Sequence, residues 1–300
     1  MEQWNMQQVF ARIDQQALHY QQHPLWAMLQ SGGGPEAALK KLRAFAPAIS
    51  HFILGFRDFN DFVLPYPNPV SALEHAINNH AVEDSTHFRP FIEDWEKLGG
   101  DALLQAYEHL IPGRAQEDHR LESDHTIACL RGKGEAVPDM SGVMYSFLWS
   151  DLANRHNRKL LHEYSRLIHA EGSDPVIRFA IIEAGEATGL VMFHATALLA
   201  NELTAATGIE YRYFGDYHLA LETGHLVNQE PAASEFHLTC SCEADEPFKQ
   251  LSLSEAQYRQ ALAMVDATFV LFTEWLDGIV KVGRSRYAAG TRSMLNDLAN

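Results

Sequence analysis

Residues 173–208 read SDPVIRFAIIEAGEATGLVMFHATALLANELTAATG. Asp174 followed by Pro175 is a helix start, since an Asp side chain can accept an orphan N–H and proline suits the first helical position. Gly208 is a stop, so the spacing predicts one long helix to about Thr207. The apolar stripe along it runs Phe179, Ile182, Glu186, Leu190, Phe193, Ala197. Glu186 lies at the centre of that stripe, and Glu183 and His194 lie on its border. An uncompensated carboxylate among Phe, Ile and Leu costs several kcal/mol or takes up a proton, and a bound cation would resolve that.

Helical periodicity continues on both sides. Residues 3–21 form a first helix. Pro35 opens a second after Gly32-Gly33-Gly34, and Leu42, Phe45, Ile49, Phe52, Phe56, Phe59 and Val63 carry it to the turn at Pro65–Pro69. Residues 70–98 read as a helix kinked at Pro90, 142–170 as another, and Tyr211 or Asp216 to about Asn228 as a further one. A polar loop at 229–252 precedes a last helix, which Ser254 and Gln257 open as a capping box. Its stripe, Tyr258, Leu262, Val265, Phe269, Phe272, Leu276, Ile279, contains nothing charged. With no internal repeat and no interdomain linker, the expected architecture is one all-α domain over residues 1–300, with an irregular connection at about 101–140.

The last helix is a control: packing alone calls for a clean stripe, and three other helices depart from it. In 70–98 the stripe is Leu73, Ile77, His80, Asp84, His87, Phe91, Trp95, Leu98, with Asp84 central and Glu83 at its edge. In 173–208 the intruder is Glu186. In YFGDYHLALETGH, residues 213–225, His218, Glu222 and His225 sit at i, i+4 and i+7, within about 60° of one another on a helix. Seven residues rise about 10 Å, whereas ligand bonds to a first-row metal are near ~2.1 Å. Three such ligands fit a pair of ions about 3.5–4 Å apart better than a single ion, with Glu222 between the histidines. Carboxylate and imidazole without thiolate favour iron or manganese over structural zinc. The chain has 16 histidines, so some His spacings arise by chance; what matters is that three stripes carry ligand residues at their centres.

The net charge of −16 and the absence of any long basic run argue against a nucleic-acid partner. The N-terminus lacks a secretory h-region, and no apolar run reaches the ~20 residues of a membrane span. The expectation is a soluble cytoplasmic protein, with a homodimer compatible. Cys129, Cys240 and Cys242 cannot build a disulfide framework.

These residues resemble the haem-oxygenase-like di-metal oxidases, an all-α helical-bundle family that shares its fold with thiaminase-like proteins. Family members carry a carboxylate and a histidine on a first core helix, a glutamate on a second, and a His-x3-Asp/Glu-x2-His element on a third. His218-x3-Glu222-x2-His225 is similar to the third element, and Glu186 to the second-helix glutamate. Glu83 or Asp84 with His87 is similar to the first, and HPLWAMLQSGG at 23–33 to a segment that often precedes the second helix. The resemblance implies metal ligation by Glu83 or Asp84, His87, Glu186, His218, Glu222 and His225. His80, Glu183 and His194 stand as supporting or substitute ligands, and in many members the first-helix carboxylate falls where His80 stands here. It further implies two iron ions, Fe(II)/Fe(III), with manganese or a mixed pair as alternatives. O2 would then oxidise a small organic molecule, amino-acid- or fatty-acid-derived, in specialised metabolism. Cofactor-free relatives leave open a thiaminase-like hydrolase or a small-molecule binder, and a metal-storage or interaction protein is the third class.

Overall fold

The computed structural model describes residues 4–30, 32–99, 148, 151–223 and 248–288. The described chain is all-α. Its elements are β1 (Trp4–Asn5), α1 (Met6–Tyr20), α2 (Pro24–Gln30), α3 (Gly34–Phe62), α4 (Ala72–Asp84) and α5 (Phe88–Lys97). There follow α6 (Asp151–Glu171), α7 (Pro175–Thr207), α8 (Asp216–Thr223), β2 (Ser252–Leu253) and α9 (Glu255–Ala288). No helix among the described residues is long and apolar enough to cross a membrane. The connection at 101–140, and with it Cys129, lies outside the described residues, as do Cys240 and Cys242.

Helix α7 lies at the centre, packed against α1, α2, α3, α4, α6, α8 and α9. Small and branched residues let so many neighbours approach it: Ile177, Ala180, Ile181, Ala184, Ala195 and Ala200 are all fully buried. Its ends are those the residues dictate. Asp174 accepts from Val176 N at 2.9 Å, and Gly208 takes the left-handed conformation at φ 72°, which is strained for any residue with a Cβ. The capping box of α9 also forms, with Gln257 N donating to Ser254 Oγ at 3.2 Å and Ser254 N to Gln257 Oε1 at 3.1 Å. Gln257 Nε2 then donates to Asp174 Oδ2 at 2.9 Å, tying the starts of the two longest helices together.

Two expectations are corrected. The 70–98 helix is two helices. Ser85 Oγ and Thr86 Oγ1 donate to the carbonyls of Val82 and Glu83 at 2.9 and 2.8 Å, and the next amides bond back three residues, which closes α4. Pro90 therefore sits inside the first turn of α5, where its missing N–H costs nothing. Part of the polar loop is strand: Ser252 and Leu253 pair antiparallel with Asn5 and Trp4. A two-residue strand is too short for periodicity to reveal. Of the two starts considered for the helix after Gly208, the chain uses Asp216.

A polar tie joins α3, α6 and α9. Trp275 Nε1 donates to Asn157 Oδ1 at 2.7 Å, and Asn157 Nδ2 donates to Ala48 O at 2.9 Å. His156 Nε2, also 2.9 Å from Ala48 O, must carry the proton, because a carbonyl only accepts. Burial holds the His156 imidazole down at about 4. The unfolded chain, with histidine near 6.5, therefore binds the extra proton between these values, and stability falls as pH drops from about 6.5 to 4. For this well-buried group the loss amounts to up to about 3 kcal/mol. Denaturant titrations across that range should show a clearly shallower pH slope in His156→Gln, which can still donate to Ala48 O. An unchanged slope would remove His156 as the source.

Candidate metal centre

The site assembles at the end of α4. Ser71 caps that helix, its Oγ accepting from Glu74 N at 3.2 Å while Glu74 Oε2 accepts from Ser71 N at 2.7 Å. Thirteen residues on, the last turn presents His80 and Asp84 one turn apart on the inner face. His87 follows in the turn that ends α4, three residues on and within reach of Asp84.

Asp84 is the centre of the group. Its Oδ2 lies 3.2 Å from His80 Nε2, and its Oδ1 lies 3.5 Å from His87 Nδ1. Across the interface α7 brings Glu186, whose Oε1 is 3.4 Å from the same His80 Nε2. One ligand atom from each of His80, Asp84 and Glu186 lies within 4.8 Å of the others. His80 Nε2 is buried in range of two carboxylates yet aligned for a hydrogen bond with neither, and His87 Nε2 is buried without a hydrogen-bond partner. Ligands at ~2.1 Å around one ion stand roughly 3.0 Å apart at octahedral angles and roughly 3.4 Å apart at tetrahedral ones. The observed 3.2 and 3.4 Å fall in that interval, so the spacing of both carboxylates from His80 Nε2 suits a shared ion.

His218 comes from α8. Its ring stacks on Phe193 with centroids 4.0 Å apart and meets His87 edge-on at 4.6 Å. The short loop before α8 is held from α5: both oxygens of Asp94, which is fully buried, accept backbone N–H bonds from Arg212, Tyr213 and Phe214 at 3.0, 2.8 and 3.1 Å. Sequence reasoning passed over Asp94. The signal was there, because Asp94 falls on the Phe91–Leu98 stripe as Asp84 falls on its own.

The charges of the cluster sort themselves by burial and neighbours. Burial would raise the Asp84 carboxyl, but His80 and His87 hold it down at about 2. Burial would lower His80, but Asp84 and Glu186 raise it well above its usual value. Glu83 is pushed up to about 8 by burial and by the Asp84 charge, so it keeps its proton at neutral pH. His218 is held well below its usual value by burial and by His87, which leaves it neutral and able to ligate.

The sequence-derived residues divide accordingly. His80, Asp84 and Glu186 converge, with His87 and His218 beside them. Glu83 and Glu183 are buried but do not belong to the converging trio. His194 is exposed and is not one of the converging residues. Glu222 falls in α8 without a described side chain, and His225 lies outside the described residues.

The cluster closes one side of a cavity of about 60 Å³, otherwise walled chiefly by Phe52, Phe56, Tyr164, Met192, Phe193, Phe272 and Trp275. Two glycines of α7 line it. Gly185 is required by packing, since a Cβ there would run into Tyr164 Oη. Gly189 is not: a Cβ would meet only Phe193 Cε2 at an ordinary 3.7 Å. A mid-helix glycine costs about 1 kcal/mol relative to alanine, so alanine at 189 would favour the helix without a clash.

Comparison with family models and with curated proteins finds no match.

Proposed function

We propose that the protein is a non-haem di-metal oxidase or oxygenase built on a haem-oxygenase-like bundle, oxidising a small organic substrate with O2. Iron is the favoured metal, with manganese or a mixed pair as the alternative. The observation that carries this reading is the convergence of His80, Asp84 and Glu186, joined by His87 and His218, at the wall of an apolar cavity. Oxygen and imidazole donors without sulfur suit iron and manganese.

The residues would divide the work as follows. Asp84 turns one oxygen to His80 and the other to His87, so it can span two ion positions where a histidine offers a single nitrogen. Glu186 completes the His80 side, and the neutral His218 supports the His87 side. Bound metal would supply redox chemistry towards O2, which none of these side chains possesses. The aromatic walls keep water from the reacting centre. Tyr164 donates its phenol proton to Ile181 O at 3.1 Å, and burial raises it far above the ordinary tyrosine range, so it stays neutral and acts as wall.

Anaerobic Fe(II) addition to protein stripped of metal is expected to load two irons per chain, with transient visible absorption on admitting O2. The double variant Glu186→Ala/His218→Ala should lose iron while keeping nearly the wild-type far-UV circular dichroism. No more than trace iron in the wild type would end this reading in favour of a cofactor-free protein. Iron uptake without O2 consumption under any substrate would point to storage.

A further inference from the structure

The cavity beside the cluster has no charge partner for a substrate apart from the cluster itself. Thr188 Oγ1 donates to Gly185 O at 2.7 Å, and Trp275 Nε1 is bonded to Asn157 Oδ1 at 2.7 Å. Tyr164 is similarly committed to Ile181 O. Among the described residues no Lys or Arg lines the cavity. A carboxylate or phosphate placed there would be desolvated without a donor to meet it.

Size narrows the occupant further. About 60 Å³ is well below the roughly 150 Å³ that accepts benzene in an engineered cavity. Gly189 lines this space; it is a helical residue with no positive φ, and a Cβ there would make only an ordinary contact with Phe193.

The geometry points to Gly189 as the specificity-determining residue of this site: the cavity seats a short, uncharged alkyl group of the substrate against the bare backbone of α7, and excludes aromatic rings and anionic groups. This rests on the proposed reading of the cluster for its meaning in catalysis, but the binding itself needs no metal. It replaces the broader expectation of an amino-acid or fatty-acid substrate with a statement about the end of the molecule that enters the cavity.

The test uses the metal-free, full-length protein with xenon as the probe, followed by 129Xe chemical shift. Wild type should bind xenon. Gly189→Ala should bind it several-fold more weakly while raising Tm by about 2 °C, because the helix gains and nothing clashes. Gly189→Leu should bind it at least tenfold more weakly. Methane, no larger than xenon, should compete with it, whereas benzene and butyrate at the same concentration should not. Undiminished xenon binding in both variants would overturn the assignment to Gly189. Competition by benzene or butyrate would overturn the substrate class. Because iron is absent throughout, failure here leaves the iron-loading result standing, and failure of iron loading leaves this one standing.

Discussion

Asp84→Ala is expected to reduce iron affinity by at least 100-fold and to leave fewer than one iron per chain by elemental analysis. No other described side chain holds the centre of the cluster, with His80 on one oxygen and His87 on the other. Outer partners of metal ligands are worth about 10–100-fold in affinity, and a residue shared between two ion positions should cost more than that. The metal-free protein should suffer too. Removing one partner of a buried ion pair costs about 3–5 kcal/mol, because the other charge is left without compensation.

The pH window follows from the shifts. Asp84, lowered to about 2, contributes stability above the unfolded value of 3.8 and loses it as pH falls through the folded one. His80, raised above 6.5, contributes fully below that value and loses it as pH rises through its folded pKa. The penalty of Asp84→Ala in the metal-free protein should therefore be largest between about pH 4 and 6.5. Asp84→Asn keeps the volume and one acceptor, so it should unfold less readily than Asp84→Ala and still fail to hold iron. Wild-type stoichiometry in Asp84→Asn would transfer the ligand role to its neighbour Glu83.

Asp94→Ala should destabilise the fold by about 3–5 kcal/mol and disturb the His218 side of the site. Three backbone amides in the loop before α8 lose their acceptor, those of Tyr213 and Phe214 while buried and that of Arg212 while part-buried, and each buried orphaned donor costs about 1–3 kcal/mol. The figure is the cost of leaving those amides unmet. The net worth of the interaction is smaller, since burial raises the Asp94 carboxyl against the pull of its amide donors and Lys97. Urea unfolding gives the stability. A positioning role for Asp94 is tested by the His218 ring proton resonances in the metal-free protein, which should shift out of the field of Phe193 and Tyr213. Full stability loss with those resonances unmoved would reduce Asp94 to a structural anchor.

The long helices were legible because their ends and stripes are local. Asp174-Pro175, Gly208 and the Ser254/Gln257 pair each act through hydrogen bonds within one turn, so residue order suffices to locate them. Asp84 and Glu186 were legible for a related reason: a carboxylate at the centre of an apolar stripe conflicts with its own helix wherever the helix packs. His80 ranked lower on sequence grounds, because its claim comes from Glu186, over 100 residues away in the chain and 3.4 Å away in space. The break at 85–87 was missed because Ser85 and Thr86 compete for carbonyls through side chains, whereas Pro90 alone drew attention.

From residue order alone one can therefore obtain an all-α chain, its major helices, and the two carboxylates that interrupt apolar stripes. Periodicity, capping and the cost of buried charge are properties of a single segment. Tertiary packing decided which atoms meet: that Asp84 faces two imidazoles, that His194 is exposed, that Asp94 holds the loop before α8, and that a Cβ would be accommodated at Gly189. Those outcomes depend on the relative placement of α4, α5, α7 and α8, which is set by the shape of the whole core.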